Sequence, residues 1–233
     1  MKALLHGVLV LALAACTQTS NSDTAQTDST TTTAAESSAT DTSAPMTSAT
    51  KPTEEKPMSH YENKIAEVYT TAGQINLRFF PDVAPGHVKN FIDLSEQGFY
   101  NNTKFHRVIP GFMIQGGDPN TISGNPATWG TGGSPKNLKA EFNSISHKRG
   151  ILSMARSQSP DSASSQFFIM VKDSPFLDNQ YTVFGEVTQG MDVADKIVSA
   201  PTIPQDRPVN PVSITKVVIR DAKTDAEKAP TPK

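Results

Sequence analysis

The chain has 233 residues and a formal net charge of −2, with 21 Lys and Arg set against 23 Asp and Glu. That balance argues against a nucleic-acid partner and against an electrostatic grip on anionic lipid. The average hides two unlike parts, because the aromatic residues fall from Tyr61 onward. One core of ordinary size, on the order of 150 residues, fits into that second stretch.

In chain order, residues 1–15 read first as a signal peptide. Lys2 supplies the positive start, and residues 3–15 are apolar apart from His6 and Gly7. Such a run is too short to span a bilayer, which needs roughly 20 residues. It ends in Leu13-Ala14-Ala15-Cys16, which resembles the lipobox of bacterial lipoproteins. The resemblance implies that Cys16 carries lipid and becomes the first residue of the mature chain. Ordinary cleavage after a small residue and an uncleaved anchor are the competing readings. Cys16 is also the single cysteine, so no disulfide supports the fold. Several acyl chains on one residue give durable anchoring where one alone binds marginally. The expected location is therefore extracytoplasmic, on the periplasmic side. Thr17 in place of Asp after the cysteine favours the outer membrane in a cell that has one.

Residues 16–60 follow as a tether rich in Ser, Thr, Ala, Asp and Pro. So little apolar surface does not offset the entropy of ordering, and the segment is expected to stay disordered. As a flexible coil of about 40 residues it holds the next domain on the order of 35 Å from its anchor. That domain spans 61–221, and the polar tail 222–233 is expected to fray.

Within 61–221, Ile75-Asn76-Leu77-Arg78-Phe79 alternates apolar and polar residues, as does Val212-Ser213-Ile214-Thr215 before Val217-Val218-Ile219. Residues 150–154, 166–171 and 181–185 are further strand candidates. Two segments read as helical. Pro85 opens the first, which sets Val88, Phe91, Ile92 and Ser95 on one face, with Gly98 placed to stop it. The second carries Met191, Ala194, Ile197 and Val198 at helical spacing and ends before Pro201. Many short strands with two helices predict a β-barrel or sandwich whose helices cover open ends.

Several chemistries leave no pattern. Residues 130–136 are glycine-rich but lack the order of a phosphate-binding loop, and Pro135 removes an N–H that such a loop would use. The five histidines show no i, i+3 or i+4 pairing and no Cys or carboxylate cluster joins them, so a metal site is not expected. No G-x-S-x-G elbow is present, and no recognisable arrangement pairs a serine with a histidine.

The most informative stretch is 105–118, Phe105-His106-Arg107-Val108-Ile109-Pro110-Gly111-Phe112-Met113-Ile114-Gln115-Gly116-Gly117-Asp118. It sets a cation, two aromatics, a methionine and an amide beside glycines. After it come Gly150-Ile151-Leu152-Ser153-Met154-Ala155-Arg156 and Ser164-Ser165-Gln166-Phe167-Phe168-Ile169, then Phe176-Leu177-Asp178 and Tyr181-Thr182-Val183-Phe184-Gly185. In order and spacing these resemble the signatures of the cyclophilins, peptidyl-prolyl cis/trans isomerases, and specifically the bacterial branch. The resemblance implies a mainly β fold, a closed eight-stranded antiparallel barrel capped by two α-helices, with the active groove on its outer wall. Strand alternation then turns Gln166 and Phe168 to the groove and Phe167 and Ile169 inward.

Position by position, the resemblance makes Arg107 the catalytic arginine. Phe112, Met113, Phe168 and Leu177 become the walls of a pocket for the proline ring. Gln115 and Gln166 become amides that hold substrate backbone or orient the arginine, and Ala155 and Arg156 an edge for the substrate main chain. Arg156 stands where eukaryotic members often carry Asn. Phe176 and Tyr181 stand where those members commonly carry Trp and His, and losing the indole N–H removes a donor used for cyclosporin.

The implied partners are proline-containing polypeptides, with no cofactor, and nothing demands more than a monomer. At the twisted transition state of an X–Pro bond the prolyl nitrogen becomes pyramidal and basic, and a fixed guanidinium donates to it only there. Taken singly, Arg107 also fits a solvated surface charge, the apolar residues fit a core, and the glutamines fit surface amides. The alternative function is a binding module that captures proline-containing segments in the same groove without needed turnover.

Overall fold

The structure is a computed structural model that describes residues 56–224 and 226–228. The signal segment 1–15, Cys16 and the tether up to residue 55 lie outside the described residues, as does the end of the tail. The described residues form ten strands and two α-helices, joined by short 3-10 turns. The strands are β1 (Lys64–Thr70), β2 (Gly73–Phe79), β3 (Arg107–Ile109), β4 (Met113–Gly116) and β5 (Ile151–Met154). They continue as β6 (Phe167–Met170), β7 (Val183–Gln189), β8 (Thr202–Ile203), β9 (Arg207–Pro208) and β10 (Ile214–Asp221). The helices are α1 (Pro85–Glu96) and α2 (Met191–Val198).

Eight strands form one antiparallel sheet in the order β10-β1-β2-β7-β5-β6-β4-β3, and β8 and β9 form a separate hairpin. The closed barrel expected from the resemblance is corrected here to an open, curled half-barrel. Its edge strands β3 and β10 share no ladder. The chain just before β3 meets the start of β10 over a short stretch. Lys104 bridges Ser213, Asn102 N–H donates to the Ile214 carbonyl and Ile214 N–H to the Thr103 carbonyl at 2.7 Å each, and Phe105 N–H donates to the Val212 carbonyl at 3.0 Å. Pro208 and Pro211 lie on the approach to β10 and supply no N–H donor, so pairing does not spread along that edge. The β8–β9 hairpin instead packs beside β3, which shields an otherwise open edge.

Local chemistry explains both helices. Pro85 stands at the first helical position of α1, and Glu141 accepts from the Gly86 and His87 N–H groups at 3.0 Å each, filling the role of a cap that Ala84 lacks. At the other end Gly98 takes φ +72°, with Gly98 N–H bonding the Ser95 carbonyl and Phe99 N–H the Leu94 carbonyl. That paired closure is the Schellman arrangement, which needs the left-handed residue glycine tolerates. α1 buries Val88, Phe91, Ile92 and Ser95 as its pattern predicts, together with His87 and Leu94.

Phe91 centres the interior, with ring centroids 4.9 Å from Tyr100, 5.4 Å from Phe167, 5.5 Å from Phe79 and 5.7 Å from Phe184. Strand β6 is buried on both faces. Phe167 and Ile169 enter this interior, while Phe168 and Met170 join a second apolar cluster with Met113, Ile151, Leu177 and Val183 on the sheet's other side. That second cluster is the floor of the groove described next.

Candidate functional site

Register builds the site across four strands. Arg107 on β3 lies opposite Gln115 on β4, Gln115 opposite Phe168 on β6, and Phe168 opposite Ser153 on β5. Residues in register across a sheet share a face, so this row sets a cation, an amide and an aromatic ring side by side. Gly117, at φ +84°, follows β4 where a Cβ would lie 2.5 Å from the Ser165 carbonyl oxygen, so only glycine lets the two segments approach.

The row lines a groove of about 680 Å³. Its floor is Met113, Phe168 and Leu177, all buried, and its walls include Phe112, Phe176, Ala155 and Tyr181. The Phe112 and Phe176 rings lie 5.5 Å apart, and Tyr181 meets Phe168 edge-on at 5.7 Å. Phe176 is 64% exposed, an unusual setting for a phenylalanine and one that leaves an apolar surface ready for a ligand. Arg107 lines the same groove, with its side chain 42% exposed.

A chain of polar contacts runs from Arg107 along one side. Its Nη1 donates to Gln115 Oε1 at 3.4 Å, and Gln115 Nε2 donates to Gln166 Oε1 at 2.9 Å. Gln166 Nε2 in turn donates to the carbonyls of Gly130 and Gly132 at 2.9 and 2.7 Å. Gln166 thereby lines a neighbouring polar recess of about 620 Å³ rather than the main groove, and Gln115, Gly130, Ala155 and Arg156 border both. Arg156 stacks over the Tyr181 ring at 4.7 Å and donates to the carbonyls of Gln180, Ser157 and Gln158. Its guanidinium braces the rim where the chain passes from residue 156 to 158.

All eleven residues singled out from 105–185 therefore gather at these two adjoining recesses. Sequence reading missed the wall opposite: Pro126, Trp129, Gln205, Asp206 and Arg207 also line the groove. They come from a loop and from the β8–β9 hairpin, and no local pattern marks them. It also missed a buried histidine. His147 Nδ1 lies 2.9 Å from Asp178 Oδ1, and its Nε2 lies 3.1 Å from Ser153 Oγ, so a Ser–His–Asp row exists after all. Ser153 is fully buried, with its Oγ 2.9 Å from the Thr182 carbonyl, so this serine faces no ligand.

The row supports the floor instead. The His147 ring stacks beneath Phe168 at 6.2 Å, and Asp178 ties down the chain after Leu177. Burial pushes His147 below the ordinary histidine range against the pull of Asp178. Burial lifts the Asp178 carboxyl, but hydrogen bonds from the His147 backbone, the Ser146 hydroxyl and the imidazole outweigh it and leave it below the usual range. Both partners thus stay in the forms that hold the floor rigid near neutrality.

The groove offers an apolar hollow, the Arg107 guanidinium beside it and a line of amides, a set suited to gripping and polarising a neutral ligand. Residues 65–219 match the family model described as cyclophilin type peptidyl-prolyl cis-trans isomerase. A probable peptidyl-prolyl cis-trans isomerase of Brucella abortus is 48% identical over 152 residues, covering 63% of this chain and 78% of the relative. Peptidyl-prolyl cis-trans isomerase B of Escherichia coli is 43% identical over 166 residues, covering 66% of this chain and 98% of the relative. A crystal structure of a Cryptosporidium parvum enzyme of the same type, obtained in the presence of the dipeptide Ala-Pro, superposes with a TM-score of 0.61 at 32% identity, covering 67% of this chain and 99% of that one. The chain belongs to the cyclophilin-type peptidyl-prolyl cis-trans isomerases.

Proposed function

We propose that this isomerase works on proline-containing polypeptides outside the cytoplasm, held at a membrane by lipid on Cys16, and that it assists their folding. Arg107 is its catalytic residue. The observation that carries the catalytic reading is the guanidinium standing in the same groove as the hollow floored by Met113, Phe168 and Leu177. Rotation about an X–Pro bond faces a barrier of about 18–20 kcal/mol, because the nitrogen lone pair is delocalised into the carbonyl. As the bond twists, that lone pair localises on nitrogen. An Arg107 N–H then donates to it, a bond stronger in the transition state than in either ground state. The apolar hollow holds the ring while Gln115, Gln166 and the Ala155–Arg156 edge hold the chain before it, so one side turns against the other. The dipeptide Ala-Pro named for the Cryptosporidium parvum structure supports a proline-containing ligand here.

Arg107→Ala is expected to lower turnover about a hundred-fold in a protease-coupled assay on an X–Pro peptide, with an unchanged circular dichroism spectrum. Equal rates for variant and parent refute the role. The signal-like residues 1–15 and the single cysteine support the anchored location, with a domain of residues 61–221 at the end of the 16–60 tether. Cys16→Ser is expected to abolish labelled-palmitate incorporation and to shift the chain from the membrane to the soluble fraction. A parent chain that takes up no label removes the lipid anchor from the reading.

A further inference from the structure

The β8–β9 hairpin belongs to none of the signature stretches, yet its tip enters the groove. Gln205 and Asp206 sit there at φ +71° and +58°, two successive residues with side chains in left-handed backbone. That conformation is unfavourable for a residue carrying a Cβ and persists only where the surroundings impose it. Arg207, the next residue, anchors the hairpin across the groove. Its Nη1 donates to the Pro126 carbonyl at 2.8 Å, and its guanidinium lies 5.7 Å from the Trp129 ring, which Lys104 also approaches at 5.6 Å. The result is a carboxylate, Asp206, whose Oδ2 accepts from Arg107 Nε at 3.4 Å.

Arg107 has two acceptors among the described residues, Asp206 at Nε and Gln115 at Nη1, and its Nη2 donates to no described residue. Each contact alone is long, and an exposed arginine held by one of them samples many rotamers. Held by both, the guanidinium plane is fixed and the free nitrogen has one direction to point. We propose that Asp206 is a positioning residue for Arg107: the hairpin delivers a carboxylate that, with Gln115, orients the guanidinium toward the prolyl nitrogen. This rests on the catalytic reading of Arg107 given above. A strained pair of residues at the hairpin tip then has a task, which is to aim one oxygen across the groove.

The test uses the full chain. Asp206→Gly removes the carboxylate while leaving the left-handed backbone to a residue that adopts it freely. It is expected to lower kcat about five-fold with KM changed by less than about two-fold. Asp206→Asn keeps an acceptor and tolerates the backbone, and is expected to return kcat to within about two-fold of the parent. In the Arg107→Ala background Asp206→Gly is expected to change nothing, since the group it positions is gone. A readout independent of turnover is the Arg107 Nε–H resonance, sharp in the parent and broadened by solvent exchange in Asp206→Gly. An unchanged kcat and resonance in Asp206→Gly, a raised kcat, or an equal loss in both backgrounds overturns the proposal. If Arg107→Ala is itself fully active, the catalytic reading fails instead.

Discussion

Phe176 separates ligand binding from folding more cleanly than any other residue of the hollow. Met113 and Phe168 are buried in the second apolar cluster, so truncating either opens a cavity and costs about 2–5 kcal/mol of stability along with any loss of affinity. Phe176 is mostly exposed and touches its neighbours chiefly through the Phe112 ring. Phe176→Ala is expected to raise KM about five-fold at unchanged kcat, with the thermal midpoint moving by less than about 2 °C. Steady-state kinetics beside a melting curve measure both. A fall in kcat at constant KM contradicts a wall that grips ground state and transition state alike.

At the scale of elements, what the sequence made legible was what depends on near neighbours. α1 announces itself through Pro85, the apolar face from Val88 to Ser95, and Gly98, because each of these acts within one turn of the chain. β6 is legible for a similar reason, since the period of two assigns Phe167 and Phe168 to opposite faces without reference to any other strand. β1 went unmarked, because Ile65 and Ala66 are both buried and break the alternation. The two-residue strands β8 and β9 are too short to carry a period at all. The open edge between β3 and β10 depends on residues a hundred positions apart, where prolines on one segment decide what the other pairs with. The groove follows the same division. Its inner wall sits in the signature stretches and was named from them, whereas Trp129 and Asp206 reach it through a loop and a hairpin that only the folded chain brings near.

At the scale of the whole molecule, buried histidines tie stability to pH. His106 and His147 are both pushed below their ordinary value of 6.5 by burial, with Asp118 and Asp178 respectively pulling the other way. In the unfolded chain they take up protons near 6.5, while in the folded chain they resist until lower pH. Between those limits the unfolded state binds more protons, so stability rises with pH there and is lost as pH falls. Asp178 and Glu141 lie below their ordinary values of 3.8 and 4.5, so their contribution is present above those values and is lost at still lower pH. The urea midpoint is expected to stay level from about pH 8 to 7, to fall progressively below about 6.5, and to fall again below about 4. His106→Gln is expected to shrink the first fall. A midpoint that holds level down to pH 5 contradicts this.

The site centres on the Arg107 guanidinium beside the hollow of Met113, Phe168 and Leu177. Two-dimensional NMR exchange on an Ala-Pro peptide at equilibrium reads both functions in a single sample, because chemical-shift changes report occupancy and cross-peaks report cis/trans interconversion. Arg107→Ala is expected to keep the peptide shift changes of the parent and to lose the exchange cross-peaks. Cross-peaks of parental intensity in the occupied variant contradict a rotation driven by Arg107.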